Sequence, residues 1–216
     1  DGLTIADVKA IESVELTNPK YNHARNLWLI SFYFGGMRAS DVLRLKWSDF
    51  RGNRLHYTMG KNKKTGSVMI VKSIVEKVSD ILAQYESGKR GPNDFIFPDL
   101  KELPSLTNKI EVKKFLSIRV SAISTLLRNY VASKAGLIHK LTMHIARHTF
   151  GNISAETNID ILTRQKIFRH SSVLTTLNYM KNFIHKETDE AMEAVLNFEP
   201  VNIGKSKSTS TLQLVG

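Results

Sequence analysis

Residues 141–156, LTMHIARHTFGNISAE, carry the pattern on which the interpretation of this chain depends. His144, Arg147 and His148 fall within five consecutive residues of it. The apolar residues between them recur at the spacing of an amphipathic helix. The stretch therefore predicts a helix, and its polar residues raise three interpretations: a metal site, a phosphate-binding site, or an ordinary packed helix.

A metal site is the weakest of the three. His144 and His148 are four residues apart, which places them on one helix face and matches the zinc-binding H-E-x-x-H spacing. Ile145 stands where that motif has its catalytic Glu, and His170 is the sole candidate for a third ligand. We therefore expect no metal here.

The other two interpretations stay open on these residues alone. In a packed helix, His148 would be a hydrogen-bonded core histidine, and one apolar-leaning face would contain Ile145, Thr149 and Ile153. In a phosphate site, the guanidinium of Arg147 would grip two phosphate oxygens, with His144 one turn before it. The second possibility requires further catalytic groups elsewhere in the chain.

Composition points to a basic globular protein. The chain has 216 residues, 42% hydrophobic and 24% charged, which suits one sizeable domain or two small ones. Its 31 Lys and Arg against 20 Asp and Glu give a net charge of +11, which favours a nucleic-acid partner. The absence of cysteine excludes disulfides and thiolate metal sites. No apolar run approaches the roughly 18 residues of a membrane span.

Periodicity predicts a mainly helical chain with one small antiparallel β-hairpin. The hairpin is expected at residues 53–71, where Leu55, Tyr57 and Met59 alternate with polar residues before a Lys/Asn/Gly turn. A short apolar stretch at 95–98 should enter the core. Helices are expected at residues 4–17, from 19 to the glycines 35–36, at 38–47, and at 73–85, 106–135, 144–155, 159–168, 173–179 and 182–196.

Three other segments contain residues suited to phosphate chemistry. A Gly-Gly break precedes Arg38, and Tyr179 follows His170 by nine residues. The hairpin turn contains three lysines, Lys61, Lys63 and Lys64. Each has an ordinary alternative: a surface arginine, a solvated turn, or an aromatic on an amphipathic helix.

Taken together and in this order, these segments resemble the catalytic domain of the tyrosine recombinase (phage integrase) family. GMRASDVLRLKWSDF looks like the family's first arginine box, and HIARHTFGN and RHSSVLTTLNYM look like its second. The resemblance covers about residues 4–196. It implies that family's fold over residues 1–200, with a flexible tail at 201–216. A helical DNA-clamping domain normally precedes this one, so we expect the chain to be a C-terminal fragment.

The resemblance also assigns roles to individual residues. Tyr179 matches the nucleophile, and Arg38 and Arg147 match the phosphate-binding pair. Lys61 matches the hairpin lysine that acts as general acid, and Lys64 is the alternative in a shifted register. The remaining matches are the active-site histidines His144 and His170, the bracing acidic residue Asp41, and the structural His148.

One residue departs from the family pattern. The family commonly has Gly before the second active-site histidine, and this chain has Arg169. The substitution changes the local turn and adds a possible phosphate contact.

The resemblance implies a site-specific recombinase or integrase that cuts and rejoins DNA through a 3′-phosphotyrosine link, integrating or excising a mobile element without metal or cofactor. It implies double-stranded DNA attachment sites as substrate, a tetramer on DNA, accessory DNA-bending proteins, no membrane, and a bacterial cytoplasmic, nucleoid-associated location. The alternatives are a type IB topoisomerase-like enzyme and a non-catalytic DNA-binding module. A DNA-facing helix is expected around Lys113, Lys114, Arg119 and Arg128.

Overall fold

The first two helices form where the sequence supplies caps. Helix α1, Ile5–Ser13, begins after Thr4, whose hydroxyl accepts from the Asp7 N–H in a reciprocal capping box. It is shorter than the predicted 4–17, because Val14 already has extended backbone. Helix α2, Pro19–Tyr33, is capped by Asn18 and ends before the two glycines.

The computed structural model describes most of the first three quarters of the chain. All described residues lie in one unit, Asp1–Lys181. Three predicted segments lie wholly outside the described residues: the helices at 173–179 and 182–196 and the tail at 201–216. Of the predicted helix at 159–168, only residues 162–163 are described. The described residues are 2–60, 65–70, 72–88, 90–103, 106–155 and 162–163.

A short helix and a small sheet follow α2. Helix α3, Ala39–Val42, is a single turn, and a 3-10 turn at Trp47–Asp49 leads into the sheet. The predicted hairpin is confirmed as β2, Arg54–Thr58, paired antiparallel with β3, Thr65–Met69. A further strand that the sequence pattern does not predict, β1, Phe50–Arg51, pairs with the other edge of β2 to give the order β1-β2-β3.

The remaining helices follow the predicted order. Helix α4, Val75–Ala83, precedes the apolar stretch that was expected to enter the core, and Ile96 and Phe97 there are fully buried. Helix α5, Lys109–Leu126, continues through a wider π-helical turn, Leu127–Val131, into α6, Ala132–Lys134. Gly136, at φ 68°, ends this run as predicted.

Helix α7, Met143–Ala155, contains the opening motif and packs against α2. The predicted apolar face is only partly confirmed, because Thr149 is fully buried while Ile145 and Ile153 remain partly exposed. Ala146 and Arg147 are buried instead. Small side chains let α7 approach the core closely, and this close packing encloses the arginine.

The core of the described residues lies around α2. Trp28, Leu27 and Ile30 are all fully buried there, and burial of each such side chain contributes roughly 1.5–3 kcal/mol. None of the helices in the described ranges has the length and apolar content to cross a membrane.

Candidate active site

Arg147 is held in the interior by the turn that ends α2. Its side chain is 7% exposed, and Nη1 donates to the carbonyl oxygen of Gly36 at 2.9 Å. Gly36 has φ 67°, and a Cβ atom there would lie 2.8 Å from the Arg147 Cα. Only glycine tolerates both the positive φ and this close contact. The Gly-Gly break therefore sets how deeply Arg147 lies in the interior.

Arg38 stands directly before α3 and is half-buried. Its Nη1 lies 3.9 Å from the sulfur of Met59, a weak acceptor. Among the described residues, no carboxylate forms a salt bridge with Arg38. Its guanidinium therefore has donors to offer to an anion.

Asp41 connects the two arginines to the hairpin. It is 3% exposed; Oδ1 accepts from the Gly60 N–H at 2.9 Å, and Oδ2 has no hydrogen-bond partner in the described part of the chain. Burial raises the pKa of this carboxyl above its usual range. The Gly60 N–H and the charges of Arg38, Arg44 and Arg147 oppose that rise. One buried carboxylate is thus within electrostatic reach of three guanidinium groups.

Gly60 directly precedes the lysine turn and packs against two charged side chains. A Cβ there would collide with the Arg44 guanidinium and lie 3.1 Å from the Asp41 Oδ1. Sequence analysis singled out neither Gly60 nor Arg44. The available signal was spacing, because Arg44 follows Asp41 by three residues, but the contact with the hairpin depends on tertiary structure.

His144 and His148 form a ring pair on one face of α7. Their ring centroids are 4.4 Å apart at an interplanar angle of 88°. Partial shielding from water, and then the positive charge of Arg147, lowers the pKa of His144. Burial and the charges of His144 and Arg147 likewise lower the pKa of His148. Both imidazoles therefore favour the neutral form, which can accept a proton.

His148 is half-buried on α7. His144 is exposed at the surface, one helical turn before Arg147. No group of three or more His, Asp or Glu residues suited to a metal ion occurs within the described ranges.

The structure brings together four of the predicted site residues. The charges of Arg38 and Arg147 both act on the Asp41 carboxyl, and the charge of Arg147 acts on His144, which lies on the same helix. The other predicted site residues lie outside the described residues: Lys61, Lys64, His170 and Tyr179.

The order of these segments along the chain matches a known family. Residues 3–185 fit the sequence profile described as the phage integrase family. The chain belongs to the phage integrase family. The match covers both arginine segments, the hairpin and the segment that contains Tyr179.

Curated relatives of this phage integrase family member are tyrosine recombinases. The chain is 25% identical over 177 residues to a tyrosine recombinase of Pseudothermotoga lettingae, covering 81% of this chain and 55% of that protein. It is 28% identical over 189 residues to tyrosine recombinase XerC of Rickettsia canadensis, covering 83% and 54%. The chain thus spans about half the length of the curated relatives it matches.

Solved structures share the fold of this family member. The crystal structure of XerA recombinase aligns with TM-score 0.62 and 21% identity, covering 93% of this chain and 65% of that one. The Tn1549 transposon integrase in complex with transposon right end DNA aligns with TM-score 0.61 and 18% identity, covering 91% and 66%. The catalytic domain of bacteriophage HP1 integrase aligns with TM-score 0.52 and 20% identity, covering 92% and 98%.

The helix that was expected to face DNA presents its cations unequally. Lys113, Lys114 and Arg128 are exposed. Arg119 forms a salt bridge with Glu102 and lies against the Phe115 ring. Of the four cations, Arg119 is therefore already paired, and Lys113, Lys114 and Arg128 remain exposed.

Proposed function

We propose that this chain is the catalytic part of a site-specific DNA recombinase. Tyr179 Oη attacks a DNA phosphorus, the bond to the 5′ oxygen breaks, and a 3′-phosphotyrosine link forms. A 5′-hydroxyl from another strand then reverses the attack, so cleavage and rejoining need no ATP. The observation that carries this proposal is the burial of Asp41 and Arg147 together, with Arg38 and Arg147 within electrostatic reach of the Asp41 carboxylate.

The two arginines are suited to the phosphoryl group. Negative charge on the non-bridging oxygens grows in the transition state, and preorganised donors stabilise it by roughly 3–4 kcal/mol each. Arg147 is fixed by Gly36, and Arg38 has free donors. Guanidinium groups here supply the positive charge that metal ions supply in other phosphoryl-transfer sites, so we expect cleavage to continue in EDTA.

Two proton transfers accompany the reaction. Tyrosine has a pKa of about 10, so only about one phenol in a thousand is ionised at pH 7. His144, whose pKa is lowered, accepts the Tyr179 proton. Lys61, or Lys64 in the other register, gives a proton to the leaving 5′ oxygen. Asp41 fixes Gly60 and so orders the start of that turn.

In this proposal His170 binds the phosphate and takes no part in proton transfer. It donates a hydrogen bond to a non-bridging oxygen of the phosphate. His148 acts through His144, since the two rings pack at 4.4 Å and His148 limits where the His144 ring can point.

The substrate is double-stranded DNA at the attachment sites of a mobile element. The net charge of +11 supports a polyanionic partner, and exposed cations on α5 provide phosphate contacts. Structural neighbours include recombinases solved on DNA, among them XerH bound to its difH substrate. We further propose a tetramer on DNA, assisted by DNA-bending proteins, in the bacterial nucleoid.

A nicked suicide DNA tests the proposal. The short fragment that carries the released 5′-hydroxyl diffuses away, so the covalent adduct accumulates and appears as a slower band on a denaturing gel. We expect the wild-type chain to form this adduct and Tyr179→Phe to form none.

Tyr130→Phe is the matched control. Tyr130 is 44% exposed and stacks on Tyr21, remote in sequence from the proposed chemistry, so its variant should retain adduct formation. An adduct formed by Tyr179→Phe would refute the assignment of the nucleophile.

A further inference from the structure

The segment before α1 is bound tightly to the helix of the candidate site. Residues 2–4, here called the N-terminal strap, cross α7 just beyond Arg147. The Leu3 N–H donates to Thr149 Oγ1 at 3.0 Å. Leu3 is 3% exposed and Thr149 is fully buried, so this hydrogen bond is shielded from water. The hydroxyl oxygen of Thr149 therefore holds the strap against α7.

Gly2 approaches α7 more closely than any other residue type allows. A Cβ there would lie 2.9 Å from both the His148 carbonyl oxygen and the Thr149 Cα, which are backbone atoms. With the Asn152 amide oriented to satisfy both neighbours, its Nδ2 donates to the His148 oxygen at 3.3 Å, and its Oδ1 accepts from the Gly2 N–H at 3.0 Å. This contact combines hydrogen bonds through Asn152 with an approach of backbone atoms that leaves no room for a Cβ at residue 2.

The strap and the Gly-Gly turn hold α7 at consecutive residues. Gly36 contacts α7 at Arg147, and the strap contacts it at His148 and Thr149. Both contacts depend on a missing side chain next to the α7 backbone. They fix the depth of the helix at the point from which His144 and Arg147 project.

We propose that the N-terminal strap is a positioning element for the candidate active site, with Thr149 and Gly2 as its two essential contacts. It sets the depth of α7 and therefore the distance of Arg147 and His144 from the phosphate. This inference rests on the proposed function. A misplacement of about 1 Å in a reacting group lowers a rate by about a hundredfold.

Three variants test the strap. Thr149→Val keeps the shape of the side chain but removes the acceptor, Thr149→Ser keeps the acceptor, and Gly2→Ala adds the excluded Cβ. Gly88→Ala is the matched control, since Gly88 has nothing within 4 Å of a Cβ. The measurements are the adduct rate constant at saturating suicide DNA, the Kd for DNA, and the pH dependence of the rate.

We expect Thr149→Val and Gly2→Ala to lower the rate constant by about ten- to a hundredfold, with Kd changed less than about threefold. The pH at which protonation of His144 slows the reaction should also shift, because the surroundings of His144 change. Thr149→Ser should recover most of the rate, and Gly88→Ala should match the wild type.

Equal rates in Thr149→Val and Thr149→Ser, or a Gly2→Ala rate equal to that of Gly88→Ala, would overturn the strap inference. The inference would also be overturned if DNA affinity and rate fell together while the pH profile stayed unchanged, because that result indicates a merely structural role. A wild-type chain that forms no adduct would instead refute the proposed function.

Discussion

At the scale of single residues, Arg147 occupies a position on α7 where the helix pattern favours an apolar side chain. Burying a charged group is costly unless it is hydrogen-bonded and faces an opposite charge. The Gly36 carbonyl and the Asp41 carboxylate meet those needs. A site built around a buried guanidinium is preorganised before DNA arrives, which is the property that electrostatic catalysis requires.

His144 should give the cleavage reaction an acid limb. Its pKa is lowered by burial and by Arg147, so the midpoint should lie below the ordinary histidine value of about 6.5. As pH falls through that midpoint, the imidazole binds a proton and can no longer accept one from Tyr179. We expect the second-order rate constant for adduct formation to be constant above the midpoint and to fall below it.

Replacing each histidine separates their roles. His144→Gln should lower the rate by about 10²–10⁴-fold and abolish the limb. His148→Gln should keep a limb, with its midpoint raised, because the His148 ring no longer shields the His144 ring from water. A full acid limb in His144→Gln would show that another group is the base.

At the scale of elements, the turn that ends α2 can be tested by two glycines with similar backbone. Gly36 and Gly52 have φ of 67° and 56°, but only Gly36 lies against α7. Alanine at either position costs about 1–2 kcal/mol of backbone strain. We expect Gly36→Ala to lower the free energy of unfolding further, and to impair cleavage, because its Cβ displaces Arg147.

Urea unfolding of both variants measures the difference. Gly52→Ala reports strain alone, since a Cβ at Gly52 has nothing within 4 Å. Equal losses of stability in the two variants would mean that the close approach to Arg147 contributes nothing.

Elements with local signals were predictable from the sequence. The Thr4 cap, the Gly-Gly end of α2 and the buried stretch around Ile96 follow from neighbouring residues. The strand β1 was not predictable, because two residues give no periodicity. The π-helical turn after Leu126 also leaves no sequence signal, since its residues suit an ordinary helix.

The site was predictable as a set of residue types but not as a geometry. Spacing and family resemblance identified Arg38, Asp41 and Arg147. The hydrogen bond between Asp41 and Gly60 and the burial of Arg147 arise from packing between distant segments, which no local pattern encodes.

At the scale of the whole molecule, the charge surplus predicts salt-dependent DNA binding. Each phosphate contact that releases counterions adds about 0.9 to the slope of log K against log salt. We expect Lys113→Ala and Lys114→Ala each to reduce that slope by about one, measured by fluorescence anisotropy over a salt series.

Arg119 provides the comparison on the same helix. Because its guanidinium is already paired with Glu102, Arg119→Ala should change the slope less than either lysine variant. A larger effect at Arg119 than at the lysines would contradict this assignment of the DNA-facing cations.

Mapping the covalent link tests the central claim most directly. The wild-type adduct with suicide DNA is digested with nuclease and protease, and the modified peptide is sequenced by mass spectrometry. The proposed mechanism predicts a nucleotide joined through its 3′-phosphate to Tyr179 in the 167–180 segment. A link to any other residue, or to a 5′-phosphate, would contradict it.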